Sequence, residues 1–280
     1  YGLSSKDTTP AMLVGVYDNL KLAEPKNRFT VGIEDDVTFL SLPKKKEISV
    51  VPDGTYEAKF FGIGSDGTVG ANKNSIKIIG NSTDKFCQAY FAYDSKKSGG
   101  FTGSHLRFGD KRIRSPYLVT TPDLVACHVP AYLTKYDMLR GSKEGCTFLL
   151  NSRWDAEETK RRLPDHMKKA LAEKNINFYI IDATEIAEEI GLGNRTNTIM
   201  QSAFFKISNI IPYDKAVEEM KKMIVKSFGK KGEDIVNMNY KAVDRGGDVE
   251  KIEIPSDWKK IQAEGFEIHR DGETTDFVRD

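Results

Sequence analysis

The chain has 280 residues, 39% of them hydrophobic and 30% charged, and its 42 basic and 41 acidic side chains leave a formal net charge of +1. This composition suits a soluble folded protein and excludes a disordered one, and the near-zero charge excludes a global field for nucleic acid or an anionic membrane. No run approaches the ~20 apolar residues that span a bilayer, and Tyr1-Gly2-Leu3-Ser4-Ser5-Lys6 lacks the layout of a secretory signal, so the chain is read as cytoplasmic with no nucleic-acid or membrane partner.

In chain order, Ser5-Lys6-Asp7-Thr8-Thr9-Pro10 reads as a cap with proline near the first turn. Met12, Leu13, Val16, Tyr17 and Leu20 follow at helical spacing and predict a short amphipathic helix over 9–21. From Pro25 to Pro52 no period is sustained, which predicts a connector packed on other parts. Alternation begins at Thr55. Strands are predicted over 56–62, 85–92, 124–127, 146–150 and 177–181, in the order of a parallel sheet with crossover helices. Helices over 68–78, 134–139, 155–163 and 164–173 fall between them, and a long helical stretch follows over 183–190, 196–210, 214–228 and 232–243. Arg245-Gly246-Gly247-Asp248 breaks that run. The tail then holds one apolar cluster, Ile252, Ile254 and Trp258, before polar sequence expected to need a partner for order. The fold class is therefore α/β: a Rossmann-like, mostly parallel sheet with flanking helices, a C-terminal helical extension and a short tail.

The one pattern that carries ligand chemistry is Gly62-Ile63-Gly64-Ser65-Asp66-Gly67-Thr68, which follows the strand Tyr56-Glu57-Ala58-Lys59-Phe60-Phe61 and opens a helix. This is the GxGxxG spacing in its required strand–turn–helix context. Glycines let the backbone approach a phosphate, and the helix start offers unpaired N–H groups at the positive end of its dipole. A purely structural corner is the alternative. At the end of the second strand Asp94 suits a ribose hydroxyl, as in NAD sites. Ser95-Lys96-Lys97-Ser98-Gly99-Gly100 follows at once and places ammonium groups where an extra ribose phosphate lies, which favours coenzyme A or NADP.

Other chemistry is not assembled in the sequence. Cys87, Cys127 and Cys146 match neither a CxxC pair nor the close spacing of iron–sulfur thiolates, so they read as small buried hydrophobes on strands, with no metal centre in this chain. His105, His128, His166 and His269 have no partners at ligand spacing, and Asp35-Asp36 and Glu188-Glu189 are sequence neighbours that do not converge as acid/base pairs. No catalytic residue is proposed.

Three longer stretches resemble pyruvate:ferredoxin (flavodoxin) oxidoreductase. They are Gly62 through Lys73, Tyr93-Asp94-Ser95-Lys96-Lys97-Ser98-Gly99-Gly100, and Ser104-His105-Leu106-Arg107-Phe108-Gly109. Gly191-Leu192-Gly193-Asn194-Arg195 and Met200-Gln201-Ser202-Ala203-Phe204-Phe205 continue the resemblance, which extends over about 1–258. It implies a far longer parent that joins pyruvate, thiamine diphosphate, iron–sulfur clusters and coenzyme A in one oxidative decarboxylation to acetyl-CoA. Electrons then pass to ferredoxin or flavodoxin, and the parent is expected to be a homodimer. By the same resemblance this chain is the gamma-type, coenzyme A-binding part, inactive alone. Residues 1–50 form an N-terminal helix and connector, 51–213 the α/β domain, 214–247 a helical extension and 248–280 the start of a following small domain. The coenzyme A contacts carried over are Gly64, Ser65, Asp66, Gly67, Thr68, Lys96, Asn197 and Asn239. Thiamine diphosphate and the clusters belong to parts outside this chain. Arg153 stands where the family commonly has proline. An NADP-binding reductase domain and a non-catalytic interaction domain remain the alternatives.

Overall fold

The computed structural model describes residues 7–33, 37–43, 48–94, 99–263 and 266. Helix α1 (Pro10–Leu20) starts with proline at its first turn, where the missing N–H is no loss. It packs Met12 on Val31 and Leu42 of a small parallel pair, β1 (Thr30–Val31) and β2 (Ser41–Leu42). The expected connector thus has a minor core of its own.

The main sheet is built from β3 (Tyr56–Ile63), β4 (Phe86–Tyr93), β5 (Phe101–Gly109), β6 (Leu124–Cys127), β7 (Thr147–Asn151), β8 (Asn177–Ile181) and β9 (Glu250–Ile252). Their spatial order is β4-β5-β3-β6-β7-β8-β9. The pairs β3–β6, β6–β7 and β7–β8 are parallel, while β5 runs against both β3 and β4, and β9 against β8. Five of these strands therefore share one direction, as expected of a mostly parallel sheet.

Two departures from the sequence expectation shape the site. The strand after the first helix does not lie beside β3: β5, which the sequence did not suggest as a strand, takes that place and pushes β4 to the edge. Its Thr102, Ser104, His105 and Arg107 are polar, yet all are buried. They tolerate burial because partners come from elsewhere: Arg107 Nε donates to Glu57 Oε1 at 2.8 Å across the β3–β5 pair, and His105 Nδ1 accepts from Val119 N at 3.1 Å. The second departure concerns the tail. Ile252 is buried on edge strand β9, with Ile254 and Trp258 packed beside it, so this cluster completes the chain's own sheet edge.

Helices cover both faces, which is why β6 is apolar throughout rather than alternating. On one face α2 (Thr68–Ser82), α5 (Ala183–Glu189), α6 (Asn197–Ser208), α7 (Tyr213–Phe228) and α8 (Glu233–Arg245) bury a core around Phe60, Leu106, Phe204 and Phe205. The other face carries α3 (Ala156–Arg162) and α4 (Asp165–Glu173), with Phe148 and Phe178 stacked at 5.2 Å beneath them. The helix expected over 134–139 is instead a 3-10 turn, Pro130–Thr134, because Pro130 starts it early and irregular chain follows. Cys127 and Cys146 are buried and Cys87 on β4 is half-buried; none forms a disulfide.

Candidate functional site

At the end of β3 the chain turns through Gly62–Gly67 and enters α2, at the C-terminal ends of the parallel strands, where open α/β sheets bind ligands. Two glycines are required here. A Cβ on Gly62 would stand 2.8 Å from the Thr68 side chain. Gly67 has φ +86°, and a Cβ on it would stand 2.8 Å from Asn197 Cγ, so α6 and the turn meet at van der Waals range. Ser65, at φ 80°, holds a left-handed conformation without being glycine.

Asp66 organises the turn. Its Oδ1 accepts from Thr68 N at 2.8 Å, and its Oδ2 accepts from Ile63 N at 2.9 Å and from the Thr68 hydroxyl at 2.7 Å. The Asp66 N–H donates to Ile63 O at 3.1 Å. Gly64 N–H donates to Gly100 O at 2.7 Å while Gly64 O accepts from Gly99 N at 3.3 Å, which clasps the β4–β5 connection to the turn. Among the described residues nothing accepts from the N–H groups of Ser65, Gly67, Val69 and Gly70. An α-helix leaves its first N–H groups unmatched, and here most of them face no protein acceptor.

Thr68 continues inward. Its hydroxyl gives its one proton to Asp66, so it accepts from Nδ1 of His128 at 2.9 Å, and the ring proton resides on Nδ1. Burial pushes the His128 pKa down to about 4, partly opposed by Asp66, so the ring is neutral near pH 7. Its Nε2 is then a bare acceptor, buried and without a partner among the described residues.

Three clefts border the turn. One of about 470 Å³ is lined by the turn with Val69, Gly70, Tyr93, Asp94 and Phe101. Another of about 400 Å³ is lined by Ser65, Asp66, His128, Asn151, Thr184 and residues 194–196. A smaller one of about 250 Å³ opens between α2, α6 and α7 next to Gly67 and Asn197, with Met220 and Met223 in its wall. The structure thus brings Gly64, Ser65, Asp66, Gly67, Thr68 and Asn197 together. Asp94 joins them even though β4 is an edge strand. Lys96 lies outside the described residues, between Asp94 and Gly99, which both border the turn. Asn239 is buried in α8, where its Nδ2 donates to Ile235 O at 2.8 Å, and it lines none of these clefts. Sequence reasoning missed the open amides of Val69 and Gly70, for which the helix start was the available signal, and His128, for which there was none.

With this geometry in place, the relatives decide the family. Residues 57–249 match the family model described as pyruvate ferredoxin/flavodoxin oxidoreductase. The chain belongs to this family. A pyruvate:ferredoxin oxidoreductase of Moorella thermoacetica is 58% identical over 259 residues, covering 92% of this chain and 22% of that protein. The chain therefore spans about a fifth of the length of such relatives, as a domain-sized part of them. Among solved structures, the pyruvate oxidoreductase subunit PORC of Thermotoga maritima aligns with a TM-score of 0.58 at 23% identity, over 71% of this chain and 99% of that one. A 2-oxoglutarate:ferredoxin oxidoreductase of Magnetococcus marinus, described with 2-oxoglutarate, coenzyme A and succinyl-CoA bound, aligns with a TM-score of 0.54 at 18% identity, over 70% of this chain and 31% of that one. Both show the fold. The resemblance read from the glycine turn and the downstream motifs is the right one, and so is the α/β class.

Proposed function

We propose that this chain is the coenzyme A-binding part of a pyruvate:ferredoxin (flavodoxin) oxidoreductase, in which pyruvate is oxidatively decarboxylated to acetyl-CoA and electrons leave to ferredoxin or flavodoxin. The observation that carries it is the set of unmatched N–H groups of Ser65, Gly67, Val69 and Gly70 at the start of a 15-residue helix. Such a cradle fits a diphosphate, whose oxygens are acceptors only. The Magnetococcus enzyme of the same fold is described with coenzyme A bound, which supports the choice of ligand.

Coenzyme A, when bound, supplies the thiol that accepts the acyl group. The residues of this chain bind and orient it. Ser65 and Gly67 hold the diphosphate from the backbone. Asp66, Thr68 and Gly64 have their own groups engaged inside the turn, so their part is to fix its shape. Asn197, in contact range of Gly67, borders the nucleotide, and Lys96 on the β4–β5 connection neutralises the ribose phosphate. Docking the ligand here converts an encounter of two reactants into a step within one complex.

Thiamine diphosphate and the iron–sulfur clusters are assigned to other parts of the longer parent, taken to be a homodimer. The thiols here do not suit clusters: burial pushes Cys127 up to about 12 and Cys146 up to about 11, and each donates to a backbone carbonyl.

Calorimetry with coenzyme A, dephospho-coenzyme A, NADP and NAD tests the reading. Coenzyme A should bind tightest, and loss of the ribose phosphate or Lys96→Ala should weaken it roughly ten-fold. Preference for NADP would favour a reductase domain, and binding of none an interaction domain.

A further inference from the structure

The two edges of the main sheet are unlike. Edge strand β9 is three residues long, and two of them, Glu250 and Lys251, are exposed charges. A short, charged edge of this kind resists further pairing. Edge strand β4 runs for eight residues, Phe86-Cys87-Gln88-Ala89-Tyr90-Phe91-Ala92-Tyr93, with no charge and no proline. On it Phe86, Tyr90 and Tyr93 are 47%, 38% and 60% exposed. Nothing in its sequence discourages another strand from adding to it.

The outward groups of β4 follow from its pairing with β5. Asp94 N–H donates to Phe101 O at 3.0 Å, and main-chain groups in an antiparallel pair alternate between the two sides. Ala92, Tyr90 and Gln88 therefore turn theirs to β5, whereas Cys87, Ala89, Phe91 and Tyr93 turn theirs outward. Among the described residues no strand pairs with that outer edge.

The strand that matches it in length and character is β4 of a second copy. Antiparallel pairing about a two-fold axis perpendicular to the sheet is self-complementary and keeps the faces of both copies on the same side. With Tyr90 on the axis, Cys87 meets Tyr93 and Ala89 meets Phe91 of the other copy, so all four outward residues are matched. A slip of two residues in either direction leaves Tyr93 or Cys87 without a partner in the strand. Charge agrees with this arrangement: it sets the Lys85 end of one copy beside the Asp94 end of the other, where a parallel pair would set like ends together. Tyr90 faces Tyr90 as a non-hydrogen-bonded pair, in which side chains lie closer and aromatic rings attract.

We propose that the chain forms a two-fold dimer through β4, with one sheet continuing across both copies and Tyr90 on the axis. This is independent of the coenzyme A reading.

Sedimentation equilibrium of the chain tests it and should give the mass of two chains. Tyr90→Lys, which sets two ammonium groups face to face, should weaken the association at least about ten-fold while circular dichroism and the urea midpoint stay unchanged. The register is read by mild oxidation in a Cys87→Ala background. Tyr90→Cys should link two copies, because opposed Cα atoms in such a pair lie about 4.5 Å apart, within disulfide range. Ala92→Cys, two positions off the axis, should stay unlinked. A chain that remains monomeric at about 100 μM overturns the proposal, as does a dimer that Tyr90→Lys leaves intact. Linking through Ala92→Cys instead of Tyr90→Cys overturns the register. Where Tyr90→Lys also lowers the urea midpoint, the Tyr90→Cys link decides, and its absence overturns the dimer through β4.

Discussion

The two ends of β3 handle buried polar groups in opposite ways. At its start Glu57, 2% exposed, accepts from Arg107 Nε and from the Thr121 hydroxyl, with Lys143 3.8 Å away. Arg107 in turn donates to Gln88 and to the carbonyls of Ser115, Tyr117 and Leu118, and lies 4.8 Å over the Tyr117 ring. That network is closed. Seven residues along, the turn keeps four amides and the His128 acceptor unmatched. The closed end is filled by its own partners, whereas the unmatched N–H groups at the helix start can meet an acceptor from outside.

Breaking the closed end should give the largest effect. Arg107→Met removes the buried cation of Glu57, leaving only the half-exposed Lys143 at 3.8 Å, and should destabilise the chain by about 3 kcal/mol in urea unfolding. Arg107→Met combined with Glu57→Gln should recover most of that loss, because no uncompensated charge remains. Coenzyme A affinity per folded molecule should stay unchanged in the double variant; a large drop would show that the two ends are not independent.

The histidines allow the comparison to be read by pH. Burial lowers His105 to about 3, with Lys59 and Arg107 adding to the effect, and His128 to about 4, from the ordinary 6.5. Both are neutral when folded, while the unfolded chain takes up protons below 6.5, so unfolding binds protons and acid favours it. Stability from this source is complete above pH 6.5 and is lost as pH falls toward 4, at up to about 1.4 kcal/mol per pH unit for each histidine. Urea midpoints between pH 7 and pH 4 should show this slope, and His128→Asn should remove about half of it.

Asp66→Ala is expected to come next in size. Ile63 N, Thr68 N and the Thr68 hydroxyl lose their acceptor, which should cost about 1–2 kcal/mol. It should also weaken coenzyme A, although the lost group is anionic and the ligand is too. Tighter binding would mean that Asp66 opposes the ligand more than it shapes the turn.

What the sequence disclosed follows from how local each signal is. The glycine turn was legible because its spacing, the preceding strand and the following helix lie within one short segment. Helices α7 and α8 were legible from their apolar spacing to within two residues of their observed ends. Strand β5 was not, since Arg107 reads as buried only once Glu57, fifty positions earlier, is placed opposite it. His128 likewise means little until Thr68 arrives from another strand–helix unit. Asn197 shows no pattern of its own, and its place at the site is visible only through the Cβ that Gly67 lacks.

The smallest effect should come from Ser65→Gly, and it separates shape from chemistry within the open end. Ser65 holds φ 80°, where an L side chain costs on the order of 1 kcal/mol, and glycine removes that strain. Glycine also loses more freedom on folding, so the net gain should be only a few tenths of a kcal/mol, seen as a small rise in Tm. The N–H is retained by the substitution. If the backbone amide holds the diphosphate, coenzyme A affinity should therefore stay within about two-fold of the original. A larger loss would assign the contact to the Ser65 hydroxyl, and the serine would then be kept at a strained position for its side chain rather than for the turn.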